Sequence, residues 1–217
     1  FSRRHGNAVT VIPTAVDTDY FVPKPATEGD AADRRLVVGW IGSPTTFVYL
    51  ERLQDVLRQV AEKHPFVLKV SGAGKPVRFP GLDVQEVPWA LADEVTLFNT
   101  CDIGVYPLTD DQWELGKCGF KAIQFMACGV PVVAARVGVN RDIVQDGVNG
   151  FLAATPAEWA EKLEQLLADR ALRERFAVAG RETIVRHYSL DVTTPRLVAE
   201  LQAAREPAES GSGGGRA

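Results

Sequence analysis

The chain has 217 residues, 46% hydrophobic and 24% charged, with a formal net charge of -4. That length supports one sizeable core or two small ones. The acidic balance excludes sequence-independent nucleic-acid binding, which needs a basic face, and no apolar run approaches the ~20 residues that span a bilayer. The opening residues, Phe1-Ser-Arg-Arg-His-Gly-Asn7, lack the apolar core of a secretory leader and carry no initiating Met, so the chain is expected to begin inside a longer protein. Cys101, Cys118 and Cys128 are odd in number and lack metal-ligand spacing, which predicts free thiols in a reducing cytoplasm.

Val9 to Ile12 is a short β-branched run closed by Pro13, and Pro23, Pro25 and Gly29-Asp30 mark a loop. From Arg35 the pattern becomes regular. Leu36 to Ile41 is apolar on both faces, as a central parallel strand must be. Phe47, Leu50, Leu53, Val56, Leu57 and Val60 follow at helical spacing. Phe66–Val70, Leu82–Val87, Ile103–Tyr106 and Val130–Ala135 read as further strands, with a helix predicted over Leu91–Phe98. Asn140 to Val144 is a short helix, and Phe151-Leu152 a short edge strand. Thr155-Pro156 opens the first of three closing helices, the second spanning Leu172–Val185 and the third running from Ser189 to about Ala204. The Gly/Ser-rich stretch 206–217 is expected to be disordered.

Strands alternating with helices at this spacing predict an α/β doubly wound parallel sheet with extra C-terminal helices. Ligands of such sheets bind beyond the carboxyl ends of the strands. Four loops qualify: Gly42–Thr46, Ser71–Lys75, Val87–Ala90 and Thr109–Phe120. The last leads into Gly116-Lys-Cys-Gly-Phe-Lys-Ala-Ile-Gln-Phe-Met-Ala-Cys-Gly129, a turn, a helix and a stop. The first N–H groups of a helix have no internal partner and carry partial positive charge, so this turn is a candidate anion site.

Four blocks together resemble one enzyme family: Val11–Pro23, Gly39–Thr46, Gly116–Ala135 and Gly138–Leu152. They are similar to the C-terminal domain of retaining, nucleotide-sugar-dependent glycosyltransferases of the two-domain GT-B type, glycosyltransferase family 4. The resemblance implies a Rossmann-like domain that binds a nucleoside diphosphate sugar. It implies no other cofactor and no metal. The acceptor is bound by an N-terminal domain for which this chain has no room, and any peripheral membrane association would run through that domain. Residues 1–34 are then a connector with a first strand, 35–205 the donor-binding domain, and 206–217 a tail. The half-enzyme is expected to lie in the cytoplasm and to bind donor without turnover.

The family usually carries two Glu separated by seven residues around this helix. Here Gly116 and Gln124 stand at those positions, so neither carboxylate is present. Gln124 suits a ribose contact or an ordinary polar place on the helix. Glu114 can substitute for the first Glu or be a solvated loop acid. The usual Arg/Lys pair for the diphosphate is also absent, which leaves Gly42, Ser43, Thr45 and Thr46 as neutral donors, or Ser43 and Thr45 as helix caps. Lys117 and Lys121 are the candidate cations, and Lys117 with Glu114 forms the candidate catalytic pair. Gly119 and Phe120 present backbone N–H groups. Trp89 is placed to stack on the base or to close the core edge. Trp113 suggests a sugar platform or a domain contact, and Asp110 with Asp111 falls short of a metal ligand set. His5, His64 and His187 are not expected to be catalytic, and Asn140 with Asp142 either starts a helix facing the cleft or, for Asn140, serves simply as a cap.

Two rival readings remain. One is a degenerate, non-catalytic scaffold domain, using a last helix whose Leu190, Leu197, Val198 and Leu201 form an apolar stripe. The other is a different GT-B user of sugar nucleotides, such as an epimerase.

Overall fold

The computed structural model describes residues 9–24 and 34–205. Six strands, β1 (Leu36–Ile41), β2 (Phe66–Ser71), β3 (Asp83–Val87), β4 (Ile103–Tyr106), β5 (Val132–Ala135) and β6 (Phe151–Ala153), form one sheet. Its order is β3-β2-β1-β4-β5-β6, and every neighbouring pair is parallel. Apart from the edge strand β3, whose Asp83, Gln85 and Glu86 are exposed, the strands are short and largely apolar because helices cover both faces. One face buries Val38, Trp40, Leu57, Leu68 and Leu163, and the other buries Ile41, Phe98, Phe125, Val132 and Ile184.

The covering helices follow the strands in order. α1 (Phe47–Glu51) and α2 (Gln54–Lys63) link β1 to β2. The single helix predicted there breaks at Arg52-Leu53, where Leu53 becomes the cap of α2. A 3-10 turn, Leu91–Asp93, leads into α3 (Glu94–Asn99). α4 (Gln112–Leu115) is one turn inside the expected loop, α5 (Phe120–Ala127) carries the central motif, and α6 is Asn140–Ile143. α7 (Pro156–Ala168), α8 (Arg170–His187) and α9 (Leu190–Arg205) close the chain. α7 opens on a capping box, Glu158 N–H donating to Thr155 Oγ1 at 3.2 Å and Thr155 N–H to Glu158 Oε2 at 3.3 Å.

Val9–Ile12 joins no strand. The N-terminal segment is tied instead at Val16, whose N–H donates to Tyr188 O (2.8 Å) and whose carbonyl accepts from Leu190 N–H (3.1 Å). Arg181 completes the attachment, donating to Thr18 O (2.7 Å), Phe21 O (2.5 Å) and Ala127 O (2.8 Å). Asn140 does not cap α6. It is the first residue inside that helix, and its side chain donates to Ala135 O at 2.9 Å. His5 and the stretch 206–217 lie outside the described residues. The α9 stripe, Leu190, Leu197, Val198 and Leu201, is exposed.

Candidate functional site: a cleft where the strand order reverses

Strands β1 and β4 are neighbours, yet the chain leaves them toward opposite edges of the sheet. A crevice must open beyond their carboxyl ends. It is a cleft of about 400 Å³. The loop after β1 contributes Gly42, Ser43 and Thr46, the loop after β4 contributes Pro107 and Leu108, and the α4–α5 turn contributes Gly116, Lys117, Cys118, Phe120 and Lys121. Seven of the predicted site residues therefore converge: Gly42, Ser43, Thr46, Gly116, Lys117, Phe120 and Lys121. Thr45, Trp89, Glu114, Gly119 and Gln124 are not among its lining residues.

The first loop is closed by its own hydroxyls. Ser43 N–H donates to Thr46 Oγ1 (2.9 Å), Thr46 Oγ1 donates to Ser43 O (3.0 Å), and Ser43 Oγ lies 2.9 Å from Thr45 Oγ1. Neither Ser43 nor Thr45 caps α1 through its side chain. The Ser43 carbonyl accepts from Phe47 N–H at 3.0 Å, and Thr46 occupies the cap position without a side-chain bond. The loop is drawn against its neighbour at Gly72, where φ is +87° and an added Cβ would fall 2.1 Å from Gly42 O. That contact requires glycine.

Across the cleft, Gly119 turns the chain into α5 with φ +70°. The backbone N–H groups of Gly119, Phe120 and Lys121 have no acceptor among the described residues. This is the positive end of α5. Lys117 is half-buried, with its ammonium 4.9 Å from the Tyr49 ring centroid. It has no ion pair among the described residues. Glu114 is only 4% exposed and accepts from the Tyr49 hydroxyl, so its carboxylate is turned into the wall behind Lys117.

Gln124 is fully enclosed, at 0% exposure. Its Nε2 donates to Glu94 Oε1 (3.1 Å) and its Oε1 accepts from Lys121 Nζ (2.7 Å). Both ends of the amide are engaged, and the side chain has no surface for a ligand. Lys121 also pairs with Glu94 Oε1 at 3.3 Å. Burial lowers the Lys121 pKa, against the opposing pull of the Glu94 charge and hydrogen bond. Tyr106 on the cleft wall is pushed up to about 12, by burial first and then by nearby Cys118.

A second cleft, of about 530 Å³, opens beyond β2 and β3, lined by Pro44, Gly72, Lys75, Val87 and Trp89. Trp89 is 48% exposed there, so it does not close the core. Trp113, on α4, is 79% exposed. Among the described residues no group of three His, Cys, Asp or Glu is placed to hold a metal, and no helix is long and apolar enough to cross a membrane.

Residues 35–169, more than half of the chain, match the family profile "Glycosyl transferases group 1". The chain belongs to this family. It is 31% identical over 198 residues to a D-inositol 3-phosphate glycosyltransferase of Xylanimonas cellulosilytica, covering 80% of this chain and 46% of that protein. A protein of the same name from Actinosynnema mirum is 30% identical over 230 residues, covering 91% and 52%. The chain thus spans about half the length of the curated relatives it matches. Its fold is shared with a glycosyltransferase of Rickettsia africae (TM-score 0.75, 16% identity, covering 92% of this chain and 58% of that one). It is shared too with Anabaena HepE in complex with UDP and glucose (TM-score 0.70, 18% identity, covering 87% and 55%). The fold is therefore that of the C-terminal domain of a GT-B glycosyltransferase.

Within this group 1 domain, the Gly138–Leu152 block is a folding element. Asn149 is buried, accepts from Gln145 N–H (2.8 Å) and donates to Thr183 Oγ1 (3.0 Å). Asp146 accepts from Leu152 N–H (2.8 Å) and Lys162 Nζ (3.0 Å). Two site residues escaped sequence reasoning, Tyr49 and Glu94. Each reads locally as an ordinary helix residue, and each finds its partner far along the chain.

Proposed function

We propose that the chain is the donor-binding half of a retaining glycosyltransferase that moves a sugar from a nucleoside diphosphate sugar to a hydroxyl. The observation that carries this is the convergence of Lys117 and the free N–H groups opening α5 on the cleft at the strand reversal. Negative charge builds on the leaving diphosphate as the glycosidic bond breaks. N–H donors fixed in advance and an unpaired ammonium stabilise that charge without reorganising. Glu114 serves as a positioning residue, fixing the Tyr49 ring that Lys117 covers. Trp89 offers a face for the base. The acceptor and its binding half belong to the rest of the enzyme, so this chain alone binds donor and does not turn over.

Calorimetric titration with UDP, GDP and ADP, repeated on Lys117→Ala, tests the reading. One nucleotide should bind, and the variant should weaken it roughly ten-fold or more, as loss of one charged contact implies. Binding that ignores Lys117→Ala would refute the assigned cation. Absence of binding by all three would favour the scaffold reading, which the inward-turned Glu114 and enclosed Gln124 also fit.

A further inference from the structure

We infer that Glu94 is the residue that recognises the ribose hydroxyls of the nucleotide, an inference that rests on the donor-site reading above. Glu94 lies outside every motif in the sequence. It opens α3, five positions beyond Trp89 of the second cleft, and it is bonded to Lys121 of the first. The two clefts adjoin through the loop after β1. Pro44 lines the second cleft and Gly42 and Ser43 line the first, and a Cβ on Gly74 would fall 2.4 Å from Pro44 Cγ. A nucleotide whose base lies on Trp89 and whose phosphates meet Lys117 must place its ribose between them, because the sugar links the two covalently.

Glu94 lines neither cleft but sits directly behind Lys121 of the first, and the hydrogen-bond capacity of its two oxygens is unequal. Glu94 Oε1 accepts from both Lys121 Nζ and Gln124 Nε2, whereas Oε2 accepts no bond among the described residues. An ionised carboxylate has about four acceptor positions over its two oxygens. Lys121 neutralises the charge, which makes a nearly buried carboxylate tolerable. Gln124 holds the other side in register. The free oxygen is thus a fixed acceptor for O–H donors, and hydroxyl bonds to a charged acceptor are the stronger kind. Gln124 cannot take this role, since both ends of its amide are occupied. Lys121, spent on Glu94, leaves the diphosphate to Lys117.

The test compares whichever of UDP, GDP and ADP binds with its 2′,3′-dideoxy counterpart, on the unmodified chain and on Glu94→Gln. The unmodified chain should bind the ribonucleotide roughly ten-fold or more tightly than the dideoxy form. Glu94→Gln should abolish the preference for the ribonucleotide over the dideoxy form, whatever the freed Lys121 ammonium adds equally to both. Glu94→Asp keeps the charge but draws the carboxylate back by one methylene. It should lose the same discrimination, and it decides the matter if the Gln variant does not fold. Equal affinity for the two forms in the unmodified chain, or an equal loss for both forms in the variants, would overturn the assignment to Glu94 alone. Failure of all three ribonucleotides to bind would overturn the donor-site reading and this inference with it.

Discussion

Gly119 is the residue on which the geometry of the cleft turns, and replacing it with Ala tests that directly. Its φ is +70°, and an added Cβ would fall 2.3 Å from Ile143 Cδ1 and 3.3 Å from Asn140 Oδ1. The left-handed conformation costs an L-residue ~1–2 kcal/mol, and forcing a methyl into a filled site adds ~1–3 kcal/mol. Gly119→Ala should therefore lose about 2–5 kcal/mol in urea unfolding. Gly116 is the control. Its φ is -82°, and its Cβ would meet only Trp113 O at 3.4 Å, an ordinary contact. Gly116→Ala should stay within ~0.5 kcal/mol of the parent. The steric share can be isolated with Ile143→Val, which removes the clashing Cδ1 and alone costs ~0.5–1.5 kcal/mol. The double variant should be more stable than the sum of the singles by about 1 kcal/mol or more. A Gly119→Ala loss below ~0.5 kcal/mol, or strict additivity with Ile143→Val, would refute the reasoning.

Arg181→Ala removes three bonds to the Thr18, Phe21 and Ala127 carbonyls. It should cost ~2–4 kcal/mol and speed hydrogen exchange in residues 18–22 more than in β1. Asp146 is pushed up by burial, but bonds from Leu152 N–H and Lys162, with the Lys162 and Arg136 charges, bring its pKa below the ordinary 3.8. The unfolded chain therefore takes up this proton first, so the contribution is complete above about pH 4 and fades as pH falls through the lower native value. Asp146→Asn should be ~1 kcal/mol less stable at neutral pH, held to that by the partial exposure of the carboxylate. The gap should narrow as pH falls below the ordinary 3.8, as acid unfolding curves of the two proteins would show. Cys118 is exposed and lines the cleft, while Cys101 and Cys128 are buried and pushed up to about 12, chiefly by burial. A thiol reagent should label Cys118 in the native chain and the other two only on unfolding, and bound nucleotide should slow the labelling.

The sheet was legible because strands covered on both faces must be continuously apolar, and Leu36–Ile41 and Val132–Ala135 are. The break between α1 and α2 was not, since helical spacing runs through Arg52-Leu53 without a Gly or Pro to mark it. Val9–Ile12 shows the opposite error: β-branched residues are strand-prone by type, but the segment is fixed at Val16 to the Tyr188–Leu190 backbone instead of along the sheet. In the cleft, backbone roles could be read from type alone, as with Gly119. Side-chain direction could not. Glu114 is fixed by a tyrosine 65 positions away, and Gln124 by a glutamate 30 positions away. No local pattern records such pairings.

Those pairings bear on the choice between a donor site and a scaffold. Two carboxylates near the cleft could have cancelled its positive groups, and neither does so fully. Glu114 is bonded to the neutral Tyr49 phenol and not to Lys117, so its charge reaches that ammonium only across the tyrosine ring. Glu94 is matched by Lys121, so that pair is close to neutral. The charged and dipolar groups that line the cleft itself and are not paired are then the Lys117 ammonium and the positive end of α5. In a chain of net charge -4, positive groups gathered at the reversal of its strands favour an anionic ligand there. A diphosphate meets that condition, whereas a scaffold contact through the apolar α9 stripe would make no use of it.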